Sequence, residues 1–346
     1  MVFNMEDDMI RSVEEREKAV EIWLDMHEKR EGIVALSPNK YFAHNEAQYD
    51  DQYYGGQKWD FSHGKGLLNL LKNRNIDGSF PIWEIGCGTG SLSLGILYNH
   101  DHPNFIISDM STEFLKIVRN KIRAIEMIPQ KYVLANYNSD NYYNKPPEES
   151  FSVITLMNAL HHTVNPEGFI EDMARLLVPG GAIVFDEPCR EGNALLGLLC
   201  NVYYENHKKI FNINTSKSVN SFKAHQLSKI MIYYGRRDVD KSEAEDKHFF
   251  ALEQIMTCCK KCGLDLEFIP NKYFCHFEDI DNSDGKNSFK SLRDFTRFYL
   301  EVCMGYDNKF IEGFCKFSEP YFYYYDELTS GTFSPTFHGI FILKKK

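Results

Sequence analysis

Pro81-Ile82-Trp83-Glu84-Ile85-Gly86-Cys87-Gly88-Thr89-Gly90 is the stretch that decides how this chain reads. An apolar run carrying one acid ends in three alternate glycines, then opens into Ser91-Leu92-Ser93-Leu94-Gly95-Ile96-Leu97. The pattern predicts a buried strand, a tight turn and a helix start. Glycines let the backbone bend sharply and remove side chains, so a ligand can lie against bare N–H groups where the helix begins. A second strand, Asn104-Phe105-Ile106-Ile107-Ser108-Asp109, follows and ends in an acid. Packing alone explains many glycine turns. An acid at this distance after one is placed to hold a ribose, and the two together point to a nucleoside site.

These stretches resemble the class I S-adenosylmethionine-dependent methyltransferases, whose first motif is an acid, one residue, then Gly-x-Gly-x-Gly, as Glu84 to Gly90 stands here. Phe151–His162 is similar to the family's fourth strand, and Arg175-Leu176-Leu177-Val178-Pro179-Gly180-Gly181 to the helix end and turn before the fifth. The resemblance covers residues 64–190 closely, and 249–270 with 336–344 more loosely. It implies an α/β fold: a doubly wound, mostly parallel seven-stranded sheet of Rossmann-like type, with an antiparallel last strand and helical and aromatic insertions. Residues 1–63 then form a helical and aromatic cap and 64–189 the cofactor-binding core. Residues 190–248 form a helical insertion serving as a substrate lid, and 249–346 the rest of the core, interrupted at 271–334.

Site residues follow from the same resemblance. Gly86, Gly88 and Gly90 let the backbone approach S-adenosyl-L-methionine, and Glu84 helps place its amino-acid end. Asp109 accepts from the ribose hydroxyls, Met110 lies beside the adenine, Asn136 reads the adenine amine, and Asn158 joins the cofactor contacts. His161 and His162 close the fourth strand, next to where the methyl group should point. Histidine suits removal of a proton from a hydroxyl near neutral pH, although a histidine here can equally cap the next helix. Related quinone-pathway methyltransferases bind a divalent metal through acids near this position. Asn158, His161 and His162 stand there instead, so no metal is expected.

In the resembling family the segment before the first helix often closes over the cofactor and meets the substrate. That resemblance makes Tyr53 and Tyr54, in an aromatic stretch ahead of the core, candidates for contact near the sulfonium, since an aromatic face attracts a cation. Simple packing against the domain is the other reading. Residues 206–237 carry Lys208, Lys209, Lys217, Lys223, Lys229, Arg236 and Arg237 and no acid, in a chain of net charge −10. Either this is a solvated helical face or contact, or Lys223, Arg236 and Arg237 hold an anionic acceptor. The expected reaction is methyl transfer to an oxygen, or secondly a nitrogen, of a small-molecule acceptor.

Two other functions fit the nucleotide-binding pattern. A nicotinamide-dependent oxidoreductase wants Gly-x-Gly-x-x-Gly, but Ser91 occupies the last position and Glu84 would face a pyrophosphate. A non-catalytic methyltransferase-like scaffold would let its motifs decay, whereas the glycines, Asp109 and Pro179-Gly180-Gly181 all stand.

Composition bounds the rest. The 346 residues are 43% hydrophobic and 25% charged, an ordinary globular balance. The negative charge argues against nucleic acid as a partner, and no run suits a membrane span. Nine scattered cysteines fit a reducing, cytoplasmic setting better than a disulfide framework. Cys258, Cys259 and Cys262 suggest a metal, but their helical spacing and the lack of a second Cys-x-x-Cys favour plain thiols. Ile10, Val13, Val20, Trp23 and His27 fall at helical spacing, giving a lid, a homodimer contact or a packed core helix.

Overall fold

The computed structural model describes residues 13–38, 46–47, 49–50, 61–78, 81–100, 104–125, 131–213, 246–271, 277, 291–303, 306, 308–328 and 336–346. Its strands are β1 (Lys29–Arg30), β2 (Ile33–Ala35), β3 (Ile82–Ile85), β4 (Phe105–Asp109), β5 (Tyr132–Asn136), β6 (Phe151–Met157), β7 (Leu177–Pro188), β8 (Leu264–Asn271) and β9 (His338–Lys345). They form one nine-stranded sheet in the order β1-β2-β5-β4-β3-β6-β7-β9-β8. β3 pairs in parallel with both β4 and β6, and β5 in parallel with β4 and β2. The doubly wound, mostly parallel architecture is therefore present, with the last strand in chain order inserted between β7 and β8.

Nine strands rather than seven is a correction, and its source is the hairpin β1–β2. Glu31 and Gly32 both take positive φ, 51° and 80°, which is the backbone a two-residue hairpin loop requires. β1 pairs antiparallel with β2, and β2 then adds in parallel to β5. A second difference lies in β7. It starts at Leu177, directly after the helix Pro166–Leu176, and contains the Pro179-Gly180-Gly181 stretch read as a turn. Gly180 absorbs the irregularity at φ 78°.

Two compact units divide the chain. The first comprises residues 1–185, 258–267 and 342–346. Its helices include Val13–Asp25, Ser62–Asn73, Ser91–Asn99, Thr112–Ala124 and Pro166–Leu176. The helix Val13–Asp25 takes the packed role: Val20, Trp23 and Leu24 are buried, and the Trp23 ring meets Trp83 at 5.7 Å. Val13 is exposed, so it leaves the apolar face drawn from the sequence, and Ile10 lies outside the described residues. The buried Arg16 guanidinium donates to the Glu149 carbonyl, tying this helix to the segment before β6.

The second unit comprises residues 186–257 and 268–341. Its helices Arg190–Ile213, Leu292–Phe298 and Asn308–Leu328 bury one core in which Leu196, Tyr203, Phe295, Phe314, Phe322 and Phe337 take part. The two segments read as separate insertions thus share their apolar interior. Tyr203 meets Phe314 edge-on at 5.4 Å, the arrangement the ring quadrupoles favour. Asp186, fully buried at the end of β7, pairs with His338 Nδ1 at 3.2 Å. Among the described residues no helix is long and apolar enough to cross a membrane, and Cys258, Cys259 and Cys262 are free thiols.

Candidate active site

The first unit collects the expected cofactor residues at the carboxyl ends of β3, β4, β5 and β6. After Ile85 the chain turns through Gly86, Cys87 and Gly88, and both Gly86 N–H and Cys87 N–H donate to the Ser108 carbonyl, at 2.8 and 2.9 Å. These bonds lash the turn to the end of β4. Gly86 is confined from outside as well, because a Cβ there would run into Ala159. Gly88 differs: its φ is 50° and a Cβ would meet nothing within 4 Å, so the space above it is open to a ligand. The helix Ser91–Asn99 then starts at its N-cap Gly90, so its first N–H groups follow directly on the glycine turn.

Asp109 ends β4 with its carboxylate already at work. Oδ2 accepts from Gly88 N–H and Oδ1 from Ser111 N–H, both at 2.9 Å. It thereby fixes the glycine turn as well as its own strand end. Asn136 is its register partner on β5, and Nδ2 of that amide donates to the Met110 carbonyl at 2.7 Å. Its other atom, Oδ1, is buried with no partner among the described residues. Asn158 follows β6 with a positive φ of 53°, and the short turn Leu160–His162 brings the rings of His161 and His162 to 4.0 Å. Glu84 is buried on β3, in register with Thr155 on β6, and accepts from Ser93 Oγ.

Four residues that sequence reasoning missed, Ser111, Glu46, Lys121 and Asp50, border this crevice. Ser111 caps the helix Thr112–Ala124 and donates its hydroxyl to Glu46 at 3.0 Å. Lys121 donates to the Thr89 carbonyl at 3.1 Å and pairs with Asp50. A serine directly before a helical run is a readable cap signal, but nothing in the polar run around Glu46 marks it. Tyr53, Tyr54, Lys223, Arg236 and Arg237 lie outside the described residues.

Burial sets the electrostatics. Desolvation pushes the Glu84 carboxyl up to about 8, against the Ser93 bond, and nearby Asp109 adds to the rise. Asp109 is pushed up to about 6 by burial, while N–H donation from Ser111, Gly88 and Met110 opposes this. Cys87 is driven well above an ordinary thiol by burial and by both acids, so it is no nucleophile.

These residues fit S-adenosylmethionine. The unpartnered Asn136 Oδ1 matches an amine donor, and Thr89 Oγ1, Ser91 Oγ and Thr155 Oγ1 are likewise buried without partners among the described residues. The Asp109 carboxylate, ionised above about 6, suits hydroxyl and sulfonium groups and repels a pyrophosphate.

A sign follows for stability. Glu84 and Asp109 bind protons more tightly folded than unfolded, so their contribution is fully present below the unfolded values, 4.5 and 3.8, and is lost as pH rises through about 8 and about 6. The ligand-free protein should therefore melt at a lower temperature at pH 8 than at pH 5, and Glu84→Gln should flatten that slope. A parent whose melting temperature rises across the same range would contradict the assignment.

Comparison with known proteins agrees with this geometry. Residues 83–183 match a family described as a methyltransferase domain. A ubiquinone biosynthesis O-methyltransferase from Proteus mirabilis is 25% identical over 63% of this chain and 82% of its own. A malonyl-[acyl-carrier protein] O-methyltransferase from Ilyobacter polytropus is 29% identical over 31% of this chain and 38% of its own. The reducing polyketide synthase Preu2 of Preussia isomera is 31% identical over 32% of this chain, which spans only 5% of that protein. Among solved structures, a Haemonchus contortus phosphoethanolamine N-methyltransferase with S-adenosyl-L-methionine aligns over 88% of this chain and 60% of its own, at 14% identity and TM-score 0.45.

Proposed function

We propose that this chain, which belongs to the class I S-adenosylmethionine-dependent methyltransferase superfamily, is an enzyme moving the methyl group of that cofactor onto an oxygen of a small-molecule acceptor. The carrying observation is the crevice itself: Asp109 bonded to the turn at Gly88, with the orphaned acceptor Asn136 Oδ1 beside it. The sulfonium supplies an activated methyl and its own leaving group when bound. What remains for the protein is alignment, which in the best intramolecular cases is worth about 7–11 kcal/mol of barrier. The backbone of Gly86–Gly90 and the acids Glu84 and Asp109 do the holding. One of His161 and His162 takes the acceptor's proton as the oxygen attacks. Oxygen is favoured because the relatives from Proteus mirabilis and Ilyobacter polytropus are named O-methyltransferases.

Incubation with methyl-labelled cofactor and a set of hydroxyl-bearing small molecules, read by mass spectrometry, tests the reading. Label should appear on an acceptor hydroxyl; binding of cofactor with no label on any acceptor would leave a binding protein. For the histidines, His161→Ala or His162→Ala should lower the rate at saturating cofactor by about 10²–10⁴-fold and remove the acidic limb of its pH profile. An unchanged rate and profile in both variants would make the pair structural.

A further inference from the structure

We propose that Glu46 and Asp109 form a two-carboxylate clamp for the cofactor ribose, each acid taking one of its vicinal hydroxyls. The proposal rests on the superfamily's cofactor and on the role assigned to Asp109. Asp109 has spent an acceptor site of each oxygen on the backbone, at Gly88 and Ser111. Ser111 joins the two acids: its N–H goes to Asp109 and its hydroxyl to Glu46, at 2.9 and 3.0 Å. A ribose offers two adjacent hydroxyl donors, and a carboxylate offers about four acceptor sites, so a pair of acids around one serine matches the sugar edge.

The position of Glu46 is fixed by contacts that do not involve it. Tyr49 packs edge-on against Phe114 at 5.4 Å. Asp50 pairs with Lys121, which also donates to the Thr89 carbonyl of the glycine turn. The helical residues Tyr49 and Asp50 are thus pinned to the same loop and helix that frame Asp109. An independent sign of a donor-rich ligand stands next to Asp109: Asn136 Oδ1, buried and without a partner, while its own Nδ2 is committed to Met110. Two acids close together in a buried crevice repel each other, and Glu46 adds to the upward push on Asp109. Hydroxyl donors arriving between them relieve that repulsion.

Titration calorimetry with S-adenosylhomocysteine and its 2′-deoxy and 3′-deoxy counterparts separates the outcomes, using parent, Glu46→Gln and Glu46→Ala. Glu46→Gln should weaken S-adenosylhomocysteine by about tenfold or more, with Glu46→Ala at least as weak. The loss should vanish for one of the two deoxy ligands, because the hydroxyl it depends on is already missing. Parental affinity in both variants, or an equal loss against both deoxy ligands, would overturn the clamp alone. A parent that fails to bind S-adenosylhomocysteine would overturn it together with the role of Asp109. Turnover of an acceptor does not enter the readout, so a failed acceptor screen leaves the clamp standing.

Discussion

Asp109→Ala should weaken S-adenosylmethionine and S-adenosylhomocysteine by one to two orders of magnitude. A hydrogen bond to a charged group is worth about 1.5–3 kcal/mol, and each 1.4 kcal/mol is about tenfold in affinity. The proposed ribose contact is only part of the expected loss. The same substitution leaves Gly88 N–H and Ser111 N–H without their acceptor, so the turn that faces the ligand loses its tether. Asp109→Asn keeps an acceptor oxygen and should fall between parent and alanine variant. Calorimetry with S-adenosylhomocysteine reads all three. Parental affinity in the alanine variant would remove Asp109 from the site.

The second large effect belongs to stability. The helices Ser62–Asn73 and Ser91–Asn99 cross at a glycine pair, and a Cβ on Gly64 would fall inside the backbone of Gly95 and Ile96. From the other side, a Cβ on Gly95 would stand 2.6 Å from Gly64 N and 2.7 Å from the Phe61 carbonyl oxygen. These are backbone atoms, so no rotamer change relieves the clash. Gly64→Val should cost about 3 kcal/mol or more, at the upper end of overpacking effects, and lower the melting temperature by roughly 4 °C or more. The helix Ser91–Asn99 begins at the cofactor turn, so the displaced variant should also bind cofactor less tightly. Gly95→Ala should act in the same direction. A melting temperature unchanged in both would mean that the helices do not cross there.

What the sequence revealed and what it hid have different physical causes. The alternation of β3, β4, β5 and β6 with their helices was legible because buried parallel strands read as short apolar runs and surface helices as a 3.6-residue period. The placement of the glycine turn, Asp109 and Asn136 at strand ends was legible because each closes a short apolar run. The hairpin β1–β2 was not. Lys29 and Arg30 are charged and exposed, so no apolar pattern marks the strand, and only the positive φ of Glu31 and Gly32 makes the turn. Glu46 was hidden for another reason. Its place in the crevice, and with it the proposed clamp, depends on a contact with Ser111, 65 positions away, and local pattern carries no information about such a meeting. The shared core of the second unit was half legible: the aromatic content of both segments was plain, but their common interior exists only in three dimensions.

That short hairpin also has a protective office. β2 lies along β5 through Ile33, Val34 and Ala35, covering Leu134, Ala135 and Asn136. Were residues 29–35 removed, β5 would become the margin of the sheet, with a row of unsatisfied N–H and C=O groups beside buried apolar side chains. Such a margin is a template on which another chain can add a strand. β1, outermost in its place, is two residues long and made of a lysine and an arginine, which is how natural sheets discourage that addition. The segment that the sequence made hardest to see thus guards the sheet against its own copies.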